Sequence, residues 1–502
     1  MFKNIGSNWI VSFFTLGVAY IITPFLIKSL GIEGYGIWTL MTSITGYLSL
    51  LVIGVPLTSV RYFTKYISEK NYIKLNEIIV SCAGIYILIG IISIIIGAGM
   101  FVFFKVSYDI PPKWQSDAFL GFFVLIFCIS IGFVGILPEG IMLAHQDFII
   151  RNLIRLTIIF IRFGLIIILL TYFHSIFILA CIQIICTIME FIISYCIIKK
   201  RYEAIKISFK YFKWTIVKEI FSFSLYVLLL NMGVHLSFYT DSLVIGAFLN
   251  LNKIPYYSVA NNLFIYLLEL IIAIAAVVLP TSTKLYTNGD LTNLRVIFLK
   301  WSKISFSLTI LIGIFLIILG PRFIGWWIDP TFEDEGGKVL QILMVSSLIF
   351  MPIRGVAQPI LIGMGKVKLP AIAFLSAGVL NLFISLALVK PWGLNGVAIG
   401  TVIPIGLFSF MMLIYACREL KIYYLFYIKY AFLKPIIGSF GLIFLLIYFR
   451  VFFEIKNFAG LAVAGISTVF IFILIWVLFV YKNDPYIKLG KQLLIKLLRG
   501  RI

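Results

Sequence analysis

Apolar residues run in long blocks along nearly the whole chain, separated by short polar stretches. A helix rises 1.5 Å per residue, so about 20 apolar residues cross the ~30 Å hydrocarbon core of a bilayer. About fourteen blocks reach that length, near 8–30, 36–58, 78–104, 118–138, 152–173, 175–198, 219–249, 256–281, 297–320, 338–363, 369–390, 394–417, 432–450 and 458–481. The longest, 219–249, predicts a tilted or kinked helix. The pattern predicts an all-α polytopic membrane protein with about fourteen transmembrane helices.

Composition agrees. Of 502 residues, 62% are hydrophobic and 12% charged, against about 25% charged in a soluble domain. The opening MFKNIGSNWIVSFFTLGVAYIITPF has a lysine ahead of an apolar run but no small-residue cleavage site, so it reads as a retained first helix. The net charge of +21 takes its meaning from where Lys and Arg fall. One alternate set of loops holds Arg61, Lys65, Lys70 and Lys74, then Arg151, then KKRYEAIKISFKYFKWTIVK at 199–218. The same set continues with Lys284 to Lys303, Lys366 and Lys368, Arg418 to Lys434, and the tail from Lys482. The positive-inside rule puts that side, and both termini, in the cytoplasm. The charge therefore signals topology and contact with anionic membrane lipids, not nucleic acid.

The chemistry of enzymes is scarce. The longest far-side loop, PRFIGWWIDPTFEDEGG at 321–337, is too short for a folded domain. GGK at 336–338 lacks the upstream glycine and the following Ser or Thr of a Walker A loop. No G-x-S-x-G or H-E-x-x-H occurs, and the six cysteines form no C-x-x-C pair. No cofactor or metal site is expected, and the chain reads as a membrane body without catalytic machinery.

The halves echo each other. GIMLAHQDFIIRN at 140–152 aligns without gaps on PILIGMGKVKLPA at 359–371, and Asn8 to Tyr35 echoes Asn231 to Tyr256. Offsets of about 220 residues predict two six-helix lobes, 1–198 and 219–417, as parallel repeats. A basic linker at 199–218 joins them, and 418–502 adds two helices and a basic tail.

Polar groups inside spans are the candidate functional residues, because a central arginine costs roughly 2.5–3.5 kcal/mol to insert. Arg162, in IIFIRFGLIII, calls for a cavity or an ion pair, with Glu139 or Glu190 as possible partners. Arg155, at i−7, lies near the same face; the alternative is that it snorkels to the surface. Arg354, in FMPIRGVAQPI, sits between Pro352 and Pro359, which free backbone carbonyls that it would either complement or leave to a ligand. Gln358 shares its face at i+4. Arg61 and Lys28 stand at helix ends, where they border a cavity or snorkel. Asp241 and Glu269 are intramembrane carboxyls of the second lobe, and a neutral, desolvated Glu269 is expected from its apolar flanks. His235 and Asp241, six residues apart, fall on different helix faces.

Several stretches carry a family resemblance. NIGSNWIVSFFTLGVAYIITPFLIKSLGIEGYGIWTL resembles the start of bacterial Wzx-type polysaccharide exporters, as does the basic turn RYFTKYISEKN at 61–71. NMGVHLSFYTDSLVIGAFLN, with PYYSVANNL at 255–263, LP at 279–280 and GLNGVAIGTVI at 393–403, is similar to later family signatures. The resemblance implies the multidrug/oligosaccharidyl-lipid/polysaccharide exporter fold, two pseudo-symmetric lobes in a V around a cavity of alternating access. It implies a flippase for undecaprenyl-pyrophosphate-linked oligosaccharide in a bacterial cytoplasmic (inner) membrane, serving O-antigen, capsule or related polymers. A polysaccharide polymerase and a chain-length regulator are its implied partners. In that setting Arg162, Arg354, Arg155, Arg61, Lys28 and Gln358 become candidates for binding substrate. Guanidinium suits pyrophosphate through forked, charge-assisted hydrogen bonds. Asp241 and Glu269 become candidates for ion coupling. Two alternatives stay open: a cation-coupled drug antiporter of the same superfamily, and a membrane-embedded polymerase or ligase.

Overall fold

The computed structural model describes residues 2–52, 54–205, 208–215, 217, 225–453 and 458–486. The start of the seventh predicted span, most of the C-terminal basic tail and parts of the basic linker lie outside the described residues. Every regular element among the described residues is helical.

In chain order the first half holds α1 (Phe2–Gly46), α2 (Val55–Ser68), α3 (Tyr72–Ser107), α4 (Pro112–Ala144), α5 (Phe148–Phe173) and α6 (Ile176–Arg201). There follow α7 (Leu225–Phe238), α8 (Thr240–Phe248), α9 (Ile254–Thr287), α10 (Leu291–Ile318), α11 (Gly320–Trp327), α12 (Glu335–Pro352) and α13 (Gln358–Gly363). The chain continues with α14 (Lys368–Glu419), α15 (Tyr424–Ile428), α16 (Lys434–Phe452) and α17 (Phe458–Ile475). Among the described residues, twelve continuous stretches are long and apolar enough to span a membrane. The expected fourteen segments are recovered because two of these stretches each carry two. α1 breaks at Gly31 (φ 71°) and α14 at Gly393 (φ 56°). Both are left-handed conformations that cost little without a Cβ.

The second predicted span, 36–58, ends early. A 3-10 turn at Tyr47–Val52 and Gly54 (φ 91°) close it, and α2 then presents Arg61 to the surface. The seventh span breaks at Tyr239, between α7 and α8. The tenth runs through a π turn at Ile353–Ala357, bracketed by Pro352 and Pro359. Proline lacks an N–H and crowds the preceding turn, so the helix widens there to keep its remaining bonds.

The repeat is written in the backbone turn by turn. Left-handed residues recur 219 positions apart: Lys70 with Gly289, Gln146 with Gly365, His174 with Gly393. In the first pair the following residues, Asn71 and Asp290, each cap the amide three positions on. In the second, the bonds His145 N to Ile141 O, Gln146 N to Leu143 O and Asp147 N to Met142 O reappear as Met364 to Ile360, Gly365 to Ile362 and Lys366 to Leu361. The ion pair that clasps this turn to the end of a later helix is repeated with its charges exchanged. Asp147 meets Arg201 at 3.0 Å, and Lys366 meets Glu419 at 3.1 Å.

Burial pushes the Asp147 carboxyl up, but hydrogen bonds from Tyr202 and Arg201 outweigh it and hold it below its ordinary 3.8. A depressed carboxyl stabilises the fold above its unfolded value and loses that contribution as pH falls through the folded one. The difference in melting temperature between wild type and Asp147→Asn is thus expected to be full at neutral pH and to shrink below about pH 3.8, measured by thermal unfolding in detergent.

The chain divides into two compact units, Met1–His235 with Ile245–Pro255, and Leu236–Val244 with Tyr256–Ile502. In the first, α4 packs on α3 and α6, and α1 on α5. In the second, α10 packs on α12 and α16, and α12 on α14. α16 and the segment after α17 close an apolar cluster with α10 that includes Phe306, Ile310, Leu442, Leu446 and Trp476.

Beside that cluster, Lys303 and Asp484 are 1% and 4% exposed and meet at 2.5 Å. Tyr430 donates to the other carboxylate oxygen at 2.6 Å. This corrects the expectation that Lys303 belongs to a basic loop. Its counter-charge comes from 181 residues away, so the pairing leaves no local mark in the sequence.

Candidate functional site

The break at Tyr239 gives α8 its own N-terminus, with Asp241 in the first turn, where the helix dipole favours a negative charge. Asp241 is 1% exposed. Its Oδ2 accepts from Tyr257 of α9 at 2.5 Å and from Thr401 of α14 at 2.8 Å. Asn381, on the other arm of α14, donates to Thr401 Oγ1 at 2.9 Å and to the Ser237 carbonyl at 3.5 Å. Oδ1 finds no donor in hydrogen-bonding geometry among the described residues, although the Asn381 amide also acts on the carboxyl. Neither Lys nor Arg forms an ion pair with Asp241 among the described residues. The cluster is therefore an acid held by three neutral polar side chains, a place where a small cation or a proton changes the local charge.

The two arms of α14 approach closely beside this cluster. A Cβ on Gly400 would stand 2.2 Å from Ser385 Oγ and 2.8 Å from its backbone nitrogen. Small residues allow such backbone approach between membrane helices. Gly400→Ala is expected to push Thr401 off Asp241 and lower the melting temperature, whereas Gly406→Ala, with open space around it, should leave it unchanged.

Arg354 lies in the π turn. Its Nη1 donates to Gln358 Oε1 at 2.6 Å, and its guanidinium stacks over the Phe374 ring at 5.5 Å. Its Nε is enclosed and has no partner among the described residues, as is true of Gln358 Nε2. The freed carbonyls around Pro352 and Pro359 do not receive this side chain. No carboxylate pairs with it among the described residues, so an intramembrane cation stands with an amide and a ring for company.

In the first unit Arg162 is half-buried, with Nε enclosed and without a partner among the described residues. Its charge and that of Arg155 reach Glu190. Glu139 does not serve Arg162 as expected: Arg151, one turn from Arg155, takes it at 2.8 Å. Arg155 is exposed, as are Lys28 on α1 and Arg61 on α2. Glu269 is also exposed, and its charge acts on Tyr239. His235 and Asp241 are separated as expected, His235 lying 3.4 Å from Ser49 through Nε2.

Sequence reasoning passed over Tyr257, Thr401 and Asn381. Tyr257 lies within PYYSVANNL and Thr401 within GLNGVAIGTVI, both quoted for their resemblance. Only the folded chain shows that the two converge on one carboxyl.

The family described as "Polysaccharide biosynthesis protein" matches residues 1–286, more than half the chain. The protein belongs to the polysaccharide biosynthesis protein family. Its Wzx-type resemblance agrees with that assignment. It is 22% identical over 448 residues to the "Uncharacterized membrane protein EpsK" of Bacillus subtilis (strain 168), covering 87% of this chain and 86% of that one. It is 22% identical over 392 residues to the "Putative O-antigen transporter" of Shigella flexneri, covering 75% and 88%. Among solved structures, a multidrug resistance MATE family transporter of the MOP superfamily, inward-facing, superposes with a TM-score of 0.71 at 17% identity, over 82% of this chain and 94% of that one. A MOP superfamily transporter from Pyrococcus furiosus gives 0.64 at 15% identity, over 84% and 96%. This polysaccharide biosynthesis family member thus has the polytopic, all-α exporter fold.

Proposed function

We propose that the protein is a flippase of the bacterial cytoplasmic membrane that carries an oligosaccharide repeat unit linked to undecaprenyl pyrophosphate to the outer leaflet. Arg354 is the observation that carries this reading. A half-buried cation without a carboxylate is costly in lipid, and an anionic head group relieves that cost as it crosses. The polyprenyl tail stays in hydrocarbon; only the sugar and pyrophosphate need a polar path. Family membership and the O-antigen transporter relative support the same substrate class.

The test is translocation in proteoliposomes with a fluorescent pyrophosphate-linked oligosaccharide, followed by quenching of the outer leaflet. Protein-dependent flipping supports the reading. Extrusion of cationic dyes without lipid-linked flipping would turn it to the drug antiporter, for which the MATE-like fold leaves room.

The Asp241 cluster is the proposed coupling site, with Glu269 as a second, exposed carboxyl. Proton and sodium gradients imposed separately across the vesicles should drive transport in one case, and Asp241→Asn should remove that dependence while uncoupled exchange persists. Unchanged gradient dependence in both Asp241→Asn and Glu269→Gln would end the coupling role.

A further inference from the structure

The two arms of α14 enclose a groove that no part of the transport reading uses. It has a volume of about 510 Å³. One wall is Leu369, Ile372, Ser376 and Leu380, spaced to share one helix face; the other is Phe408 and Met411 of the second arm. From Lys368 to Leu380 the helix rises roughly 18 Å, close to the ~15 Å depth of one leaflet's hydrocarbon. At one end only stand Lys366, in the turn that precedes α14, and Lys368, the first residue of α14. Lys366 is engaged by Glu419, whereas Lys368 is exposed and pairs with no acid among the described residues.

We propose that this groove binds one anionic phospholipid of the cytoplasmic leaflet, its acyl chain between the arms of α14 and its phosphate at Lys368. The charge lies where a head group would sit, and the apolar walls run inward to the depth of one chain. The equivalent turn of the other half argues for a site specific to this half. At the 219-residue offset, Asp147 stands for Lys366 and Ile149 for Lys368, so the counterpart carries an acid and no free lysine. The inference is independent of what the protein transports, because it concerns a lipid that stays in its own leaflet.

Native mass spectrometry of the full chain released from detergent, titrated with phosphatidylglycerol, phosphatidylethanolamine or a polyprenyl monophosphate, tests it. Wild type should retain one phosphatidylglycerol in preference to phosphatidylethanolamine. Lys368→Gln should weaken that retention about fivefold, the effect of one basic residue at an anionic surface. Ser376→Trp, at an exposed lining position, should block the chain while leaving Lys368 in place and abolish retention of that lipid. Melting temperatures of both variants matching wild type would show that the fold is intact. Equal retention of the two lipids by wild type, or phosphatidylglycerol retention unaffected in both variants, overturns the site. Preferential retention of a polyprenyl monophosphate over phosphatidylglycerol overturns the assigned occupant.

Discussion

Arg354→Ala is expected to lower the rate of lipid-linked oligosaccharide flipping by roughly 10- to 100-fold, the worth of a charge-assisted hydrogen bond of ~1.5–3 kcal/mol. The protein should still fold, because the side chain leaves no carboxylate behind among the described residues; the cost is the lost donor to the buried Gln358 Oε1, about 1–3 kcal/mol. Arg354→Lys keeps the charge but not the planar fork, so an intermediate rate follows. Gln358→Glu is the sharper test. It sets a carboxylate beside a retained arginine, where the side-chain bond is now 2.6 Å, and the new ion pair would compete with an anionic substrate. Transport should fall although Arg354 is intact. Wild-type flipping in both Arg354→Ala and Gln358→Glu would remove the residue from the substrate path.

Lys303→Met and Asp484→Asn are each expected to destabilise the second unit by about 3–5 kcal/mol, since either leaves one buried charge uncompensated. Asp484 also accepts from Tyr430 and from the Tyr486 amide at 3.1 Å, so Lys303→Met leaves the carboxylate some donors. Asp484→Asn leaves the Lys303 charge uncompensated, with a neutral amide and the faces of Tyr430 and Tyr481, at 4.7 and 5.9 Å, beside it among the described residues, and should be the worse of the two. Lys303→Met combined with Asp484→Leu should recover most of the loss, because an apolar pair in a buried site replaces an ion pair at little cost. Denaturant unfolding in detergent reads all three. Single variants as stable as wild type would show that the pair does not hold this end of the unit.

The helices were legible because each needs only about 20 apolar residues in a row. The breaks at Gly31 and Gly393 were legible as gaps between spans, since the predicted segments stop at 30 and 390 and resume at 36 and 394; φ adds which residue makes the turn. Arg354 and Asp241 were legible because a charge in a span stands out against its neighbours. Their surroundings were not. Thr401 and Tyr257 are ordinary residues whose meaning is the carboxyl they share, at 160 and 16 residues' separation. Lys303 was misread for the converse reason, since a basic residue near a helix end resembles a topology signal unless its distant acid is known. Glu139 went to Arg151 because the turn at 145–147 brings the end of α4 against the start of α5, and a partner chosen along the chain by span ignores such turns.

The constant 219-residue spacing has a further consequence for the bilayer. Between the turns at Lys70 and His174, and their counterparts at Gly289 and Gly393, neither half has gained or lost a residue. The chain between these turns has equal length in both halves, so the two are cut for the same hydrocarbon thickness. A thicker or thinner membrane would impose one common mismatch on both. Moving the protein to such a membrane should then load the paired helices alike, and an insertion in one half alone would create a disparity that the native chain avoids.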